Sequence, residues 1–192
     1  MNRFILATTN AGKVTEIRAA LGPVPGWSLE PLPAGIPAIE ETGMTFLENA
    51  IQKARHYSKH TAELTLADDS GLSVAALEGR PGVHSARYAA DPAARIQRLL
   101  GELHLERSTA RSATFYCALA LARSGELIWS VQREVNGVIA RSPSGTEGFG
   151  YDPVFLLPHL NRTMAELSTE EKNRLSARGQ ALAELRKFLE AS

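Results

Sequence analysis

Leu64-Thr65-Leu66-Ala67-Asp68-Asp69-Ser70-Gly71-Leu72 is the stretch from which the fold of this chain is read. An apolar run ends in two adjacent carboxylates, a hydroxyl and a glycine. That is the pattern of a strand delivering acids to a chemically active loop. Side by side, Asp68 and Asp69 repel unless a cation or hydrogen-bond donors lie between them. A solvated Asp-Asp-Ser-Gly turn uses the same residue types, so the surrounding chain has to decide between a site and a turn.

The 192 residues suit one domain, divided at most by a cleft into two lobes. A hydrophobic content of 44% with 22% charged residues is that of a globular protein with a real core. Twenty-one basic and 21 acidic side chains give a formal charge of +0, which argues against a protein that wraps nucleic acid. It leaves room for a local basic pocket for a small anion. Cys117 is the single cysteine, so no intrachain disulfide forms, and in Phe115-Tyr116-Cys117-Ala118-Leu119 it reads as a buried small hydrophobe. The apolar run at the start is too short for an export signal, and no run reaches a membrane span. A cytoplasmic enzyme or binding protein is the starting class.

Upstream of the acid pair, Phe4 to Ala7 reads as an early, central strand. It leads into Thr8-Thr9-Asn10-Ala11-Gly12-Lys13 and a helix over about Val14 to Leu21. Small residues between strand and helix let backbone N–H groups approach a ligand, and the helix N-terminus and Lys13 favour an anion, phosphate above all. One glycine before the lysine is not the Walker pattern. Trp27 to Glu30 is a short strand. Glu40-Glu41-Thr42-Gly43 is a second paired-acid turn, and Thr45-Phe46-Leu47-Glu48 a capping box. The helix it opens runs to about His60, with Phe46, Ala50 and Ala54 as its core stripe and Thr45, Asn49, Lys53 and His56 along the adjacent one.

Downstream, Leu72 to Leu77 suits helix or strand, and Gly79 to Tyr88 is dense in turns. A helix covers Ala93 to Leu103. Ser112–Ala122 and Leu127–Ile139, joined around Gly125, read as a long antiparallel hairpin. A glycine-rich loop from Arg141 to Pro153 carries Phe149, Tyr151 and Asp152, whose rings either stack on a planar ligand or anchor the loop in the core. It leads into a short strand, Val154 to Leu157. Ser168-Thr169-Glu170-Glu171 is a further capping box opening helical sequence to about Leu189, with a joint at Gly179.

Taken in order, Thr8-Thr9-Asn10-Ala11-Gly12-Lys13, Thr45 to Ala54, Ala67-Asp68-Asp69-Ser70-Gly71-Leu72, Gly79-Arg80-Pro81-Gly82-Val83, Gly148-Phe149-Gly150-Tyr151-Asp152-Pro153 and Glu171-Lys172-Asn173 resemble the inosine/xanthosine triphosphate pyrophosphatase family. Each motif is weak alone; the ordered set spans nearly the whole chain. The resemblance implies an α/β fold, a long twisted mixed sheet flanked by helices, with two lobes and the active-site cleft between them. It implies hydrolysis of ITP, dITP and XTP to the monophosphate and pyrophosphate with Mg²⁺, by a homodimer. Neither nucleic acid nor membrane is an expected partner. The alternatives are a related pyrophosphatase of different or broader base specificity, and a non-catalytic nucleotide-binding protein.

Carried over by position, Thr8, Thr9, Asn10, Ala11, Gly12 and Lys13 would hold the triphosphate. Glu40 would bind metal, with Glu41 as the alternative ligand. Asp69 would bind metal and activate water, supported by Asp68, and Lys53 would serve the catalytic centre near the phosphates. Ser70 would contact substrate. Phe149, Gly150, Tyr151 and Asp152 would form the base pocket, with Lys172, position 177 and Arg178 reading the purine edge. The family has Ser-His-Arg where this chain has Ser176-Ala177-Arg178, and alanine carries no donor for a keto oxygen. Thr9 replaces a common glycine.

Overall fold

The computed structural model describes residues 2–105 and 110–191. A seven-stranded mixed sheet comprises β1 (Asn2–Leu6), β2 (Trp27–Pro31), β3 (Leu64–Val74), β4 (Ser112–Arg123), β5 (Glu126–Ile139), β6 (Phe155–Leu157) and β7 (Arg162–Thr163). Its strand order is β2-β1-β3-β4-β5-β6-β7. The helices are α1 (Ala11–Leu21), α2 (Phe46–Ser58), α3 (Pro92–Leu105), α4 (Thr169–Leu175) and α5 (Ala177–Glu190). The α/β class and the mixed sheet therefore match the sequence expectation.

One expectation is corrected at the centre. β3 does not end at the acids; it continues through Asp68, Asp69, Ser70 and Gly71 to Val74, and a 3-10 turn at Ala75–Leu77 follows. The segment left open between helix and strand is thus strand, then turn. In extended backbone neighbouring side chains point to opposite faces. The two carboxylates escape each other in this way, each meeting cations of its own.

The chain gathers into two compact units. One holds Met1–Asp69, Cys117–Arg133 and Arg178–Ser192, the other Ser70–Tyr116 and Glu134–Ala177. In the first, β1 runs parallel to both neighbours, with Phe4 opposite Leu29 and Leu64. Phe4, Ile17, Leu21, Leu66, Leu119, Leu121, Leu182 and Leu185 are buried, each contributing about 1.5–3 kcal/mol over exposure. On α2 the expected core stripe of Phe46, Ala50 and Ala54 is buried. Asn10 caps α1, its Oδ1 accepting from Lys13 N at 3.1 Å, so that helix begins at Ala11, three residues before the expected start. Ser124 and Gly125, with φ of 51° and 86°, link β4 to β5. A two-residue link between hydrogen-bonded neighbours makes them an antiparallel hairpin.

In the second unit Ile96, Leu99 and Leu103 of α3 fall on one helical face. They are buried in a cluster with Leu72, Val74, Leu77, Tyr151 and Phe155. The loop before β6 is strapped down by its backbone. Ser144 N donates to Pro153 O at 2.9 Å, while Thr146 N and Glu147 N share Ala165 O at 3.1 and 3.0 Å. The break between the last two helices falls at Ser176, where φ is −73° and ψ 153°. The joint expected at Gly179 is displaced three residues; Gly179 itself lies buried inside α5.

Candidate active site

In the first unit, Asp69 and Lys53 are both buried, and Lys53 Nζ donates to Asp69 Oδ1 at 2.9 Å. The same ammonium lies 3.1 Å from Glu41 Oε1. Lys53 reaches this position because α2 is set by its capping box and carries position 53 two turns in. One lysine thus pairs with two carboxylates. Burial works to lower the Lys53 pKa, but Asp69 and Glu41 outweigh it and raise it, keeping the ammonium charged. Burial raises the Asp69 carboxyl above its ordinary value against the pull of Lys53 and Lys13, and Glu41 pushes the same way as burial. Asp69 Oδ2 is buried and has no hydrogen-bond partner among the described residues.

Behind the opposite face of β3 lies a second charged network in the same unit. Asp68, fully buried, receives Lys13 Nζ on Oδ1 and Arg178 Nε on Oδ2 at 3.0 Å. Arg178 Nη1 also bonds Glu16 Oε2, and the Cys117 thiol donates to Asp68 Oδ2 at 3.3 Å. Burial alone would raise the Asp68 carboxyl; Arg178 and Lys13 together hold it well below the usual carboxylate range. Burial and the neighbouring Asp68 push the Cys117 thiol far up, so it is no nucleophile and the reading as a buried small residue stands.

The paired acids expected to form a turn lie instead in irregular backbone, and they differ in burial. Glu41 is half-buried against Lys53, whereas Glu40 is exposed. Thr8 Oγ1 accepts from Asn10 N at 3.2 Å, bending the chain into α1. Thr9, Asn10 and Ala11 are exposed there, and Gly12 and Lys13 half-buried. Ala11 and Gly12 lie in the first turn of α1, where amides lack intrahelical acceptors.

In the second unit, Lys172 Nζ donates to Asp152 Oδ2 at 2.5 Å, both residues being buried. Phe149 N donates to the same oxygen at 2.7 Å, and Lys172 Nζ lies 5.6 Å from the Phe149 ring centroid. Gly148 has φ +75°, and a Cβ there would run into Asp152 Oδ2 and Lys172 Nζ. Of the two rings in the loop, Tyr151 anchors, buried with its hydroxyl donating to Ser85 O at 3.0 Å. Phe149 is half-buried, as are Gly150 and Ser70. Arg178 belongs to the Asp68 network and Lys172 to the Asp152 pair, while Ala177 is buried at the start of α5. Sequence reasoning missed Glu16 as the partner of Arg178; its position one turn beyond Lys13 on α1 was the available signal.

A family model described as the Ham1 family matches residues 4–188. A protein named dITP/XTP pyrophosphatase from Bacillus licheniformis is 48% identical over 195 residues, covering 99% of each chain. Among solved structures, a HAM1 protein from Coxiella burnetii superposes with a TM-score of 0.90 at 44% identity, covering 100% of both chains. The Staphylococcus aureus Ham1 protein gives 0.86 at 38% identity over 99% of both.

Proposed function

The chain belongs to the Ham1 family, and on that premise we propose that it hydrolyses deaminated purine nucleoside triphosphates. ITP, dITP and XTP are cut to the nucleoside monophosphate and pyrophosphate. The observation that carries this reading is Asp69: a buried carboxylate of raised pKa, one oxygen on Lys53 and the other without a hydrogen-bond partner among the described residues.

That orphaned oxygen and Glu41 beside Lys53 fit a hard divalent cation, and Mg²⁺ is the cofactor of the proposal. Among the described residues no three His, Cys, Asp or Glu side chains converge as a complete metal cage. One or two carboxylates completed by substrate phosphates is the usual Mg²⁺ arrangement. Asp69 and Glu41 would hold the ion, with Glu41 preferred to Glu40 on its placement. When bound, the ion supplies neutralisation of phosphate charge and acidification of water. Asp68 is not assigned to metal, because its carboxylate serves Lys13 and Arg178.

Lys13 and the first-turn amides of α1 hold phosphate oxygens. Asp69 takes a proton from the attacking water, whose oxygen bonds to the α-phosphorus as the bridging bond to the β-phosphate breaks. The pyrophosphate so released carries charge that Lys13 and Lys53 offset. In the second unit Lys172, held on Asp152, is the donor for a purine keto oxygen, and the half-exposed Phe149 ring is the stacking surface.

Ala177 favours a second reading, a pyrophosphatase of broader base specificity. One lost hydrogen bond to the base is worth about 1–3 kcal/mol, or roughly 5- to 150-fold in discrimination. Pyrophosphate release from ITP, XTP, dITP, dUTP and GTP separates the two. The deaminated purines are expected to exceed GTP and dUTP; comparable rates across the panel establish the broader enzyme. ITP binding without pyrophosphate release under any divalent ion overturns catalysis altogether. Assembly as a homodimer, which rests on the family resemblance, and action in the cytoplasm belong to the same proposal. No helix among the described residues is long and apolar enough to cross a membrane.

A further inference from the structure

α2 grips the segment that carries Glu41, residue by residue. Glu48 Oε2 accepts from Thr45 N at 3.1 Å and Met44 N at 2.7 Å. Asn49 Oδ1 accepts from Gly43 N at 2.8 Å, and Gln52 Oε1 from Thr42 N at 3.3 Å. Lys53 then meets the Glu41 side chain. Four side chains from one and a half turns of helix thus hold five consecutive residues. The bond from Thr45 N to Glu48 belongs to the capping box and recurs wherever one forms. The bond from Asn49 lies outside the cap, and of the three accepting side chains Asn49 alone is buried, at 1% exposure.

Gly43 shows how closely the segment is seated. A Cβ there would lie 2.6 Å from Asn49 Oδ1, 2.8 Å from Glu48 Cβ and 3.0 Å from Asn49 N. Its φ is outside the left-handed region, so glycine stands there for close approach rather than for backbone conformation. A buried acceptor and a missing side chain therefore meet at one point, two residues from Glu41.

We propose that Asn49 is a positioning residue: by holding Gly43 N–H it fixes the Glu41 carboxylate beside Lys53 and Asp69. This rests on the reading of Glu41 as the second carboxylate of the metal site. Outer partners of metal ligands typically change metal affinity or activity by about 10- to 100-fold when removed.

The test uses the full chain with Mn²⁺ as the metal probe. Binding is followed by electron paramagnetic resonance in the presence of α,β-methylene-ITP, beside kcat, KM and melting temperature with ITP. Asn49→Leu and Gly43→Ala are expected to weaken Mn²⁺ binding and lower kcat by about 10- to 100-fold. The KM for ITP should move far less, the signature of a lost interaction outside ground-state nucleotide binding. Asn49→Asp keeps an accepting oxygen for Gly43 N–H and should recover most of both quantities. A folded Asn49→Leu that binds Mn²⁺ like wild type overturns the proposal, as does Asn49→Asp impaired to the same degree as Asn49→Leu. If Asn49→Leu does not fold, Gly43→Ala decides: weakened Mn²⁺ binding supports the role, and wild-type binding overturns it. Glu41→Gln separates the two levels. Wild-type Mn²⁺ binding in that variant overturns the carboxylate reading itself. Weakened binding there, beside wild-type behaviour in Asn49→Leu, overturns only the positioning role.

Discussion

Asp69→Asn is expected to lower kcat for ITP by about 10²- to 10⁴-fold, the range supplied by a positioned general base, in a protein that still folds. The substitution keeps shape and an oxygen to accept from Lys53 Nζ, and removes the negative charge and the basicity. Two effects oppose each other in stability. A neutral amide relieves the burial cost of the Asp69 carboxylate, and it takes from the buried Lys53 ammonium one of the two carboxylates that keep it charged. The melting temperature should stay close to that of wild type. Turnover should fall on the acid side as Asp69 gains its proton. A variant that keeps wild-type turnover removes Asp69 from the chemistry.

Asp68→Ala acts on stability first. It strands the Arg178 guanidinium, buried beside Glu16, and the Lys13 ammonium, which is 13% exposed. Breaking a buried pair from one side costs about 3–5 kcal/mol, because the remaining charges keep their burial and lose the carboxylate that offset it. For a chain of this length that corresponds to a fall in melting temperature of about 6–20 °C. The pH dependence has a definite sign. The folded-state pKa of Asp68 is depressed, so its contribution is fully present above the ordinary value of 3.8 and is lost as pH falls below it toward the folded-state pKa. Wild type and Asp68→Ala should therefore converge in stability under acid and separate near neutrality. A difference that stays constant from neutral to strongly acid pH contradicts the ion-pair account.

Local patterns made most of the elements legible. The apolar spacing of Phe46, Ala50 and Ala54, the capping boxes at Thr45 and Ser168, and the β runs on either side of Gly125 all mark real elements. Composition misled where tertiary partners override it. Asp-Asp-Ser-Gly has the makeup of a turn, yet it runs as strand because Lys13 and Arg178 meet one carboxylate and Lys53 the other. Gly179 suggested a joint by residue type, but it sits buried in a helix, and the chain bends at Ser176.

Within the candidate site, individual residues were legible and their pairings were not. Glu40 and Glu41 are equivalent by type, and a segment outside helix and strand gives no phase from sequence to say which faces Lys53. The bonds from Arg178 to Asp68 and Glu16 join positions 110 and 162 residues apart, beyond any local rule. Asn49 was visible only as a polar position on a helical stripe, since its partner is a backbone N–H.

Hydrolysis of ITP in ¹⁸O-labelled water, with mass analysis of both products, tests the central claim most directly. Attack of water on the α-phosphorus places the label in the inosine monophosphate and leaves the pyrophosphate unlabelled. Label in pyrophosphate, or release of inorganic phosphate in place of pyrophosphate, contradicts the account.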